Sequence, residues 1–333
     1  MKIGKVSESV LKRSILRQIK TKRNEVLCGA GVGDDCAIFA FSDGERLASC
    51  VQEAAVAVEA DVDAAAVSMA QLVQKCANNL ATSGAQPIAA LITLLLPESI
   101  EEPDIKCLMT EAENACHRLS MQIAGGQTRV SRAVSAPVAV VTGYGRLLKE
   151  ACRTAKAAAP GQDIVISKWI GLEGTAMLAK RNREKLLARY PAYLVEEAEG
   201  FDRYLSILPE AAIAMKSGVC AMHDASEGGV FAALWELAEG AGVGLSIDLK
   251  KLPLRQETVE VCECCNINPY ELKAGGCLVM TCEDGMQLVE ALEAEGIPAV
   301  VAGRLTDSND RIIINEDEIR YMDRPRTDEI YKQ

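Results

Sequence analysis

Two short segments of the sequence concentrate the side chains and glycines that binding of a phosphate-bearing ligand requires. One runs from Gly29 to Asp35 and ends in Gly33-Asp34-Asp35, and the other, HDASEGG, runs from His223 to Gly229. Carboxylates can hold a divalent cation, and glycines at a helix start let backbone N–H groups approach phosphate oxygens. The two segments together predict a protein that handles a phosphate-bearing ligand.

The first segment is not a nucleotide-binding loop of either common type. Its glycines alternate as in a dinucleotide fingerprint, but that loop must open a helix, whereas Cys36 to Phe41 has the composition of a strand. No GxxxxGK[ST] sequence occurs. Adjacent carboxylates such as Asp34 and Asp35 point in different directions, so one can face a cation and the other an N–H group or a ribose hydroxyl. From these residues alone, a solvated turn is the simpler interpretation.

The second segment combines a possible base with two carboxylates and a glycine pair. His223 is one of only two histidines in the chain, and Asp224, Glu227 and Gly228 follow it closely. We expect catalytic roles for His223, Asp224 and Glu227, and a phosphate contact for the Gly228 N–H group at the start of a helix. The alternative is a capping box with Ser226 or Asp224 as N-cap. A hydrolase triad is a poor fit because GxSxG is absent.

Two further groups of residues have both a structural and a functional interpretation. Gly125-Gly126-Gln127-Thr128 lies between a predicted helix and a predicted strand, where it is an ordinary connection or a close approach of backbone to ligand. Thirteen cysteines occur at irregular spacing, which suits buried reduced thiols in a reducing compartment. The cluster Cys262, Cys264 and Cys265 is the one place where a soft metal ion is a second interpretation.

The elements that must position these residues follow from hydrophobic periodicity. Val6 to Lys20 predicts a first helix. The rest of the first half alternates predicted strands at Cys36 to Phe41, Leu47 to Val58, Ile88 to Leu96 and Pro137 to Leu147 with predicted helices at Val62 to Thr82 and Pro103 to Leu119. The order of these elements predicts one compact α+β domain over residues 1–150.

A second domain is expected over residues 151–333, because the sequence ACRTAKAAAPG loses its periodicity at that point. Strands are predicted at Asp163 to Lys168, Gly244 to Leu249, Gly276 to Thr281, Ala299 to Leu305 and Arg311 to Asn315, the last in a terminal hairpin. Helices are predicted at Leu172 to Leu187, Phe201 to Lys216 with an interruption at Pro209, Val230 to Glu239 and Gly285 to Glu295. The fold class is therefore α/β (α+β) with two domains.

Composition limits the partners. The 333 residues carry a net charge of -11, which argues against nucleic acid and an anionic membrane surface. The amino terminus has no continuous apolar region of a secretory signal, and Ile88 to Leu96 is too short to span a bilayer. We therefore expect a cytoplasmic protein. An acidic protein can still bind ATP where a cation or backbone N–H groups offset the repulsion.

The motifs together resemble a superfamily that contains aminoimidazole ribonucleotide (AIR) synthetase, selenophosphate synthetase, thiamine-monophosphate kinase and the HypE hydrogenase maturation factor. The resemblance covers nearly the whole chain, and the opening and the Lys-Trp-x-Gly-x-Glu-Gly-Thr stretch are most similar to the HypE branch. It is carried by IGKV from Ile3, VGDDCAI from Val32, NNLATSGAQP from Asn78, GGQT from Gly125, SKWIGLEGT from Ser167 and HDASEGG from His223.

This resemblance implies a PurM-like fold with two α/β domains and a homodimer formed through the amino-terminal sheet. It implies that ATP and Mg²⁺ bind in the cleft between the domains. Asp34, Asp35 and Glu53 would be metal contacts, and Asp224, Glu227 and Gly228 would line the other side. The remaining nucleotide contacts implied are Gly33, Asn79, Gly125, Gly126, Gln127 and Thr128.

The chain departs from the family pattern at acidic positions. Gln52-Glu53 replaces Thr-Asp, Asn79 replaces an aspartate, and Gln127 replaces the acid after the glycine pair. Amides supply oxygens without charge, and magnesium sites of this kind depend on carboxylates and phosphates. The HypE branch also ends in a reactive cysteine, whereas this chain ends Ile330-Tyr331-Lys332-Gln333, so thiocyanate formation is not expected.

Three functions follow as expectations from the resemblance. The first is ATP-dependent activation of an oxygen on an unknown small-molecule or protein substrate by a HypE-like protein. The second is nucleotide binding without catalysis, because three acids of the metal site are altered. The third is a thiamine-monophosphate kinase-like activity.

Overall fold

A computed structural model describes residues 8–10, 12, 16, 24–40, 44–57 and 66–332. The chain forms two compact units. The amino-terminal unit contains residues 25–27 and 36–152, and the carboxy-terminal unit contains residues 153–332 together with Cys28–Asp35 and the described residues before 25. The short segment Cys28–Asp35 therefore packs with the carboxy-terminal unit, although the sequence assigned it to the first domain. Helix α1 is Glu8–Val10, and most of the predicted helix from Val6 to Lys20 lies outside the described residues.

A six-stranded sheet organises the amino-terminal unit. Its strands are β1 (Val26–Cys28), β2 (Ala37–Ala40), β3 (Glu45–Ala55), β4 (Gln86–Leu96), β5 (Gln122–Val130) and β6 (Val138–Leu148). Their spatial order is β1-β2-β3-β6-β4-β5. From β2 to β4 in this order each strand runs antiparallel to its neighbour, and β5 runs parallel to β4. The four strands predicted in this half are present.

Two helices, α2 (Met69–Thr82) and α3 (Glu102–Arg118), connect and cover this sheet. A capping box between Ser68 and Gln71 starts α2, and the predicted start of this helix at Val62 lies outside the described residues. On one face of the sheet α2 lies so close to β6 that a Cβ atom at Gly143 would be 2.4 Å from the Cys76 sulfur. Small residues therefore allow the helix to approach the strand.

Strand β5 corrects one prediction from the sequence. Gly125-Gly126-Gln127-Thr128 is part of β5, not a connection. Gly126 has φ +150°, and a Cβ atom there would lie 1.8 Å from the Ile92 carbonyl oxygen of β4. Only glycine allows this approach of two strands. The glycine at position 126 is thus required by strand pairing within the unit.

A seven-stranded sheet organises the carboxy-terminal unit. Its strands are β7 (Asp163–Ser167), β8 (Ala221–Ala225), β9 (Gly244–Asp248), β10 (Cys277–Cys282), β11 (Ala299–Thr306), β12 (Arg311–Asn315) and β13 (Glu318–Tyr321). Their order is β13-β12-β9-β11-β7-β10-β8. All five predicted strands are present, and β12 and β13 form the predicted terminal hairpin. Strand β8 was not predicted, because its sequence was assigned to a loop.

The helices of this unit are α4 (Leu172–Arg181), α5 (Arg183–Leu187), α6 (Ala192–Glu199), α7 (Leu208–Lys216), α8 (Gly229–Ala241), α9 (Gln256–Cys265) and α10 (Gly285–Ala294). The main core joins α8 to the sheet through Val230, Leu234 and Leu237. Helices α6 and α9 were not predicted, and the predicted helix from Phe201 becomes a 3₁₀ turn followed by α7, with Pro209 in its first turn. In the described part of the chain, no helix is long and apolar enough to cross a membrane.

The segment Cys28–Asp35 reaches its place through glycine packing against α8. Gly33 is buried with φ +86°, and a Cβ atom on it would lie 2.3 Å from the Glu236 carbonyl oxygen. Gly240 of α8 meets the same segment, since a Cβ atom on it would lie 2.6 Å from the Val32 carbonyl oxygen. Backbone therefore packs on backbone here, which places Asp34 and Asp35 beside α8.

The glycine contact gives a stability prediction. Gly161 has a similar φ of +92°, but a Cβ atom on it would meet nothing within 4 Å, so it isolates the cost of the left-handed backbone. We expect Gly161→Ala to lower the free energy of unfolding by about 1 kcal/mol. Gly33→Ala should lower it by about 2 kcal/mol more, because the methyl group meets helix backbone. Urea unfolding of the two variants measures the difference, and equal losses would show that Gly33 is not packed as described.

Candidate ligand site

His223 lies in β8 between two carboxylates. Its Nδ1 atom is 2.9 Å from Asp35 Oδ2, and its Nε2 atom is 3.1 Å from Glu236 Oε2 of α8. The residue is only 3% exposed. Carboxylates accept hydrogen bonds, so both ring nitrogens must donate, and only the protonated imidazolium has two N–H donors. The geometry thus makes His223 a buried cation.

The pKa of His223 agrees with this protonation state. Burial alone lowers the pKa, but the charge and hydrogen bond of Asp35, followed by those of Glu236, outweigh it and raise the pKa to about 10. A histidine that keeps its proton at neutral pH cannot act there as the predicted general base. The arrangement instead suits a residue that holds Asp35 in position, whereas the catalytic roles of Asp224 and Glu227 stay predictions.

The two adjacent carboxylates make separate contacts within the carboxy-terminal unit. Asp34 Oδ1 accepts a hydrogen bond from the Ala155 N–H group at 2.9 Å. Asp35 Oδ2, besides facing His223, lies 3.4 Å from the Asp224 backbone nitrogen, which donates to it. Together with buried Gly33, these contacts anchor three consecutive residues. The interpretation as a solvated turn is therefore wrong.

The loop before α8 is closed by a carboxylate from the end of the chain. Gly228, in a left-handed conformation, is the N-cap of α8, and its N–H group donates to Asp328 Oδ2 at 2.6 Å. Asp328 Oδ1 accepts from the N–H groups of Lys273 and Ile330. Neither Ser226 nor Asp224 is the N-cap. The expected open N–H group at Gly228 is thus already paired with an anionic side chain.

Burial shapes the charge of this cap. Asp328 is 1% exposed, and burial raises its pKa to about 6, although the N–H groups of Ile330 and Gly228 oppose the rise.

His223, Asp224 and Ala225 belong to β8, so only Ser226 to Gly228 form the loop. The predicted segment is therefore half strand and half loop.

In the amino-terminal unit, Glu53 and Gln127 share one row of the sheet. Glu53 pairs with Val140, Val140 with Thr93, and Thr93 with Gln127. Both candidates are exposed. Asn79 is on α2, where its carbonyl oxygen accepts from the Cys36 thiol at 2.9 Å and from the Thr82 hydroxyl at 2.8 Å. The row brings Glu53 and Gln127 to one face of the sheet.

A protein-only metal site would appear as a cluster of His, Cys, Asp or Glu side chains. No group of three His, Cys, Asp or Glu residues in the described ranges is placed to hold a metal ion. Glu53 and Gln127 are separated by two strands, so their backbones lie about 14 Å apart at ~4.8 Å per strand. Mg²⁺ needs oxygen ligands at about 2.1 Å, so these two residues cannot both bind one ion. The predicted metal role of Asp34, Asp35 and Glu53 stays a prediction.

The cysteine cluster belongs to α9. Cys262 and Cys265 are buried and pack in a hydrophobic cluster with Leu178 and Val261, whereas Cys264 is partly exposed. Burial raises the pKa of Cys262 to about 12, which disfavours the thiolate that a soft metal requires. In the part of the chain described, none of the thirteen cysteines forms a disulfide. The cysteines of α9 therefore act as apolar residues.

Sequence reasoning missed Glu236, Ala155 and Asp328. Glu236 had a usable signal, because it is a carboxylate in a helix whose other side chains are almost all apolar. Ala155 contributes only its backbone, and Asp328 is 100 residues from its partner Gly228. No local pattern encodes such contacts.

Both halves of the chain match domain models of one protein family. Residues 33–147 match the AIR synthase related protein, N-terminal domain, and residues 159–315 match the C-terminal domain of the same family. A putative hydrogenase expression/formation protein of Methanocaldococcus jannaschii is 25% identical over 93% of this chain and 91% of its own length. The carbamoyl dehydratase HypE of Rhodobacter capsulatus is 30% identical over 68% of this chain and 66% of its own length.

Solved structures show the same fold. The HypE–HypF complex structure has a chain with a TM-score of 0.74 and 20% identity, covering 95% of this chain and 100% of that one. A hydrogenase maturation protein HypE in complex with ATP has a TM-score of 0.71 and 17% identity, covering 99% and 97%. AaThiL complexed with AMPPCP and TMP has a TM-score of 0.69 and 20% identity, covering 96% of each. The predicted two-domain PurM-like fold is confirmed.

Proposed function

Since this chain belongs to the AIR synthase related protein family, we propose that it is a HypE-like member that binds ATP. The observation that carries the proposal is the match of both family domains in order, together with relatives named for hydrogenase expression and carbamoyl dehydration. A HypE structure of the same fold holds ATP, and AaThiL holds the ATP analogue AMPPCP. ATP is accordingly the first ligand to test.

Neutral polar side chains are the proposed nucleotide contacts of the amino-terminal unit. Asn79 and Gln127 have amide N–H donors, and Thr128 has a hydroxyl. Such donors can bind phosphate oxygens directly, whereas an aspartate at the same position would repel them unless a cation lay between. The replaced acids therefore suit ATP binding that depends weakly on Mg²⁺.

The first candidate reaction is ATP-dependent activation of a substrate oxygen. ATP, when bound, supplies a phosphoryl group that converts a poor leaving oxygen into a good one. The chain would contribute orientation, with Asp35 fixed by His223 and Asp34 fixed by the Ala155 N–H group. Thiamine-monophosphate kinase activity stays a prediction, which that substrate tests directly.

The second candidate is a nucleotide-binding protein without turnover. The amides at positions 79 and 127 favour it. Phosphoryl transfer relies on cations to offset the charge that develops on the phosphate. ATP hydrolysis or transfer by the wild type would exclude this candidate.

Calorimetric titration with ATP, in the presence and absence of Mg²⁺, tests the proposal. We expect wild-type binding to change little with Mg²⁺. Asn79→Asp combined with Gln127→Asp should weaken binding without Mg²⁺ and make it Mg²⁺-dependent by about tenfold, because each carboxylate repels phosphate and attracts the cation.

The control adds the same two charges elsewhere. Gln287→Asp combined with Asn309→Asp changes exposed residues of the carboxy-terminal unit and should leave the Mg²⁺ dependence unchanged. Absence of wild-type ATP binding at millimolar ligand would reject the proposal. Equal effects of the two double variants would reject the assigned contacts.

We also propose a homodimer formed through the helix-free face of the amino-terminal sheet. On this face Val51 is 54% exposed, Leu91 lies in the same row of the sheet, and Val140 lies in the next row, while Leu148 at the end of β6 is 56% exposed. Exposed large apolar side chains on one face of a sheet often mark an interface. A second copy can cover this face by presenting the same residues about a twofold axis.

Sedimentation velocity tests the dimer. Val51→Lys places a charge on this face and should shift the protein to monomer, because a buried unpaired ammonium is costly. Val259→Lys on α9, at a position 40% exposed, is the matched control and should stay dimeric. A monomeric wild type, or a dimeric Val51→Lys variant, would contradict the proposal.

A further inference from the structure

A cavity of about 160 Å³ lies within the carboxy-terminal unit. One wall is the first turn of α8, with Gly228 and Phe231. The other wall is the segment that follows β12, which contains Arg320, Arg324 and Arg326. The cavity therefore joins a helix start to a segment that contributes three arginines to its lining.

Two of these arginines have no anionic partner among the described residues. Arg326 pairs with Asp323 at 2.8 Å, but neither the Arg320 nor the Arg324 side chain forms an ion pair or hydrogen bond with any described residue. Many other arginines of this acidic chain do pair with carboxylates, as Arg304 does with Asp163. Guanidinium groups bind carboxylate and phosphate groups through two parallel hydrogen bonds. Two such groups at one cavity are a receptor for an anion.

Two acidic residues, Glu271 and Asp323, also line the cavity, and Asp323 pairs with Arg326. Burial, followed by the charge of Glu329, raises the pKa of Glu271. Three arginines and two carboxyl groups give the lining a formal net charge of +1.

Contacts of Phe231 hold the α8 wall of the cavity in place. Phe231 stacks on Tyr270 with ring centroids 5.1 Å apart and an interplanar angle of 10°. The Phe231 N–H group donates to the Tyr270 carbonyl oxygen, so backbone and rings hold the pair together. A wall that is already ordered lowers the conformational entropy that the protein must lose when a ligand binds.

We infer that this cavity binds a small metabolite with phosphate or carboxylate groups, which Arg320 and Arg324 hold. Its volume is below the ~300 to 1,000 Å³ of sites for larger ligands, so a compact anion fits better than a nucleotide. The inference goes beyond ATP binding.

Calorimetric titration of the full chain with inorganic phosphate, and separately with malonate, tests this inference at constant ionic strength set with chloride. We expect at least one anion to bind with one-to-one stoichiometry. Arg320→Gln combined with Arg324→Gln should weaken that binding by about tenfold or more, because the two charge-assisted contacts are lost. Binding of phosphate alone identifies a phosphate ligand, and binding of malonate alone identifies a carboxylate.

The matched control is Arg118→Gln combined with Arg181→Gln, which removes two exposed arginines distant in sequence and should leave the affinity unchanged. An equal loss in both double variants would show nonspecific attraction and overturn the inference. Affinity that persists in the Arg320 and Arg324 variant, or no binding of either anion at tens of millimolar, would also overturn it. Because no nucleotide is present, a failure of ATP binding does not affect these outcomes.

Discussion

The imidazolium of His223 is the interaction on which the described arrangement depends. It lies between Asp35 and Glu236 and so ties the segment Cys28–Asp35 to both β8 and α8. Replacing one partner of a buried ion pair leaves an uncompensated charge and costs about 3 to 5 kcal/mol. Gly33 and Gly240 make this contact possible, because larger residues would keep the segment away from α8.

The same chemistry pairs three acidic side chains with groups of the chain itself. Asp35 faces a histidine, Asp34 accepts a backbone N–H group, and Asp328 caps a helix. Each of these carboxylates accepts a hydrogen bond from a donor of the chain itself. In the amino-terminal unit, Asn79 and Gln127 carry amides, which supply oxygens without charge.

The sequence predicted the parts of the fold that hydrophobic periodicity controls. Strands such as β6 and β10 are long apolar runs, and their bounds agree with prediction within one or two residues. Strand β5 was missed because it is exposed and glycine-rich, so that its pairing with β4, and not its own side chains, determines its conformation. Strand β8 was missed because His223 and Asp224 look like loop residues, although a distant carboxylate makes their burial favourable. The Asp328 cap could not be predicted, since its partner is 100 residues away.

A double-mutant cycle between Asp35→Asn and His223→Gln, measured by urea unfolding with and without millimolar magnesium, tests the central claim most directly. If the carboxylate serves the histidine, the coupling energy should exceed about 2 kcal/mol and be the same with and without magnesium. Additive effects of the two substitutions, or a stabilisation of the wild type by magnesium that Asp35→Asn abolishes, would contradict the account.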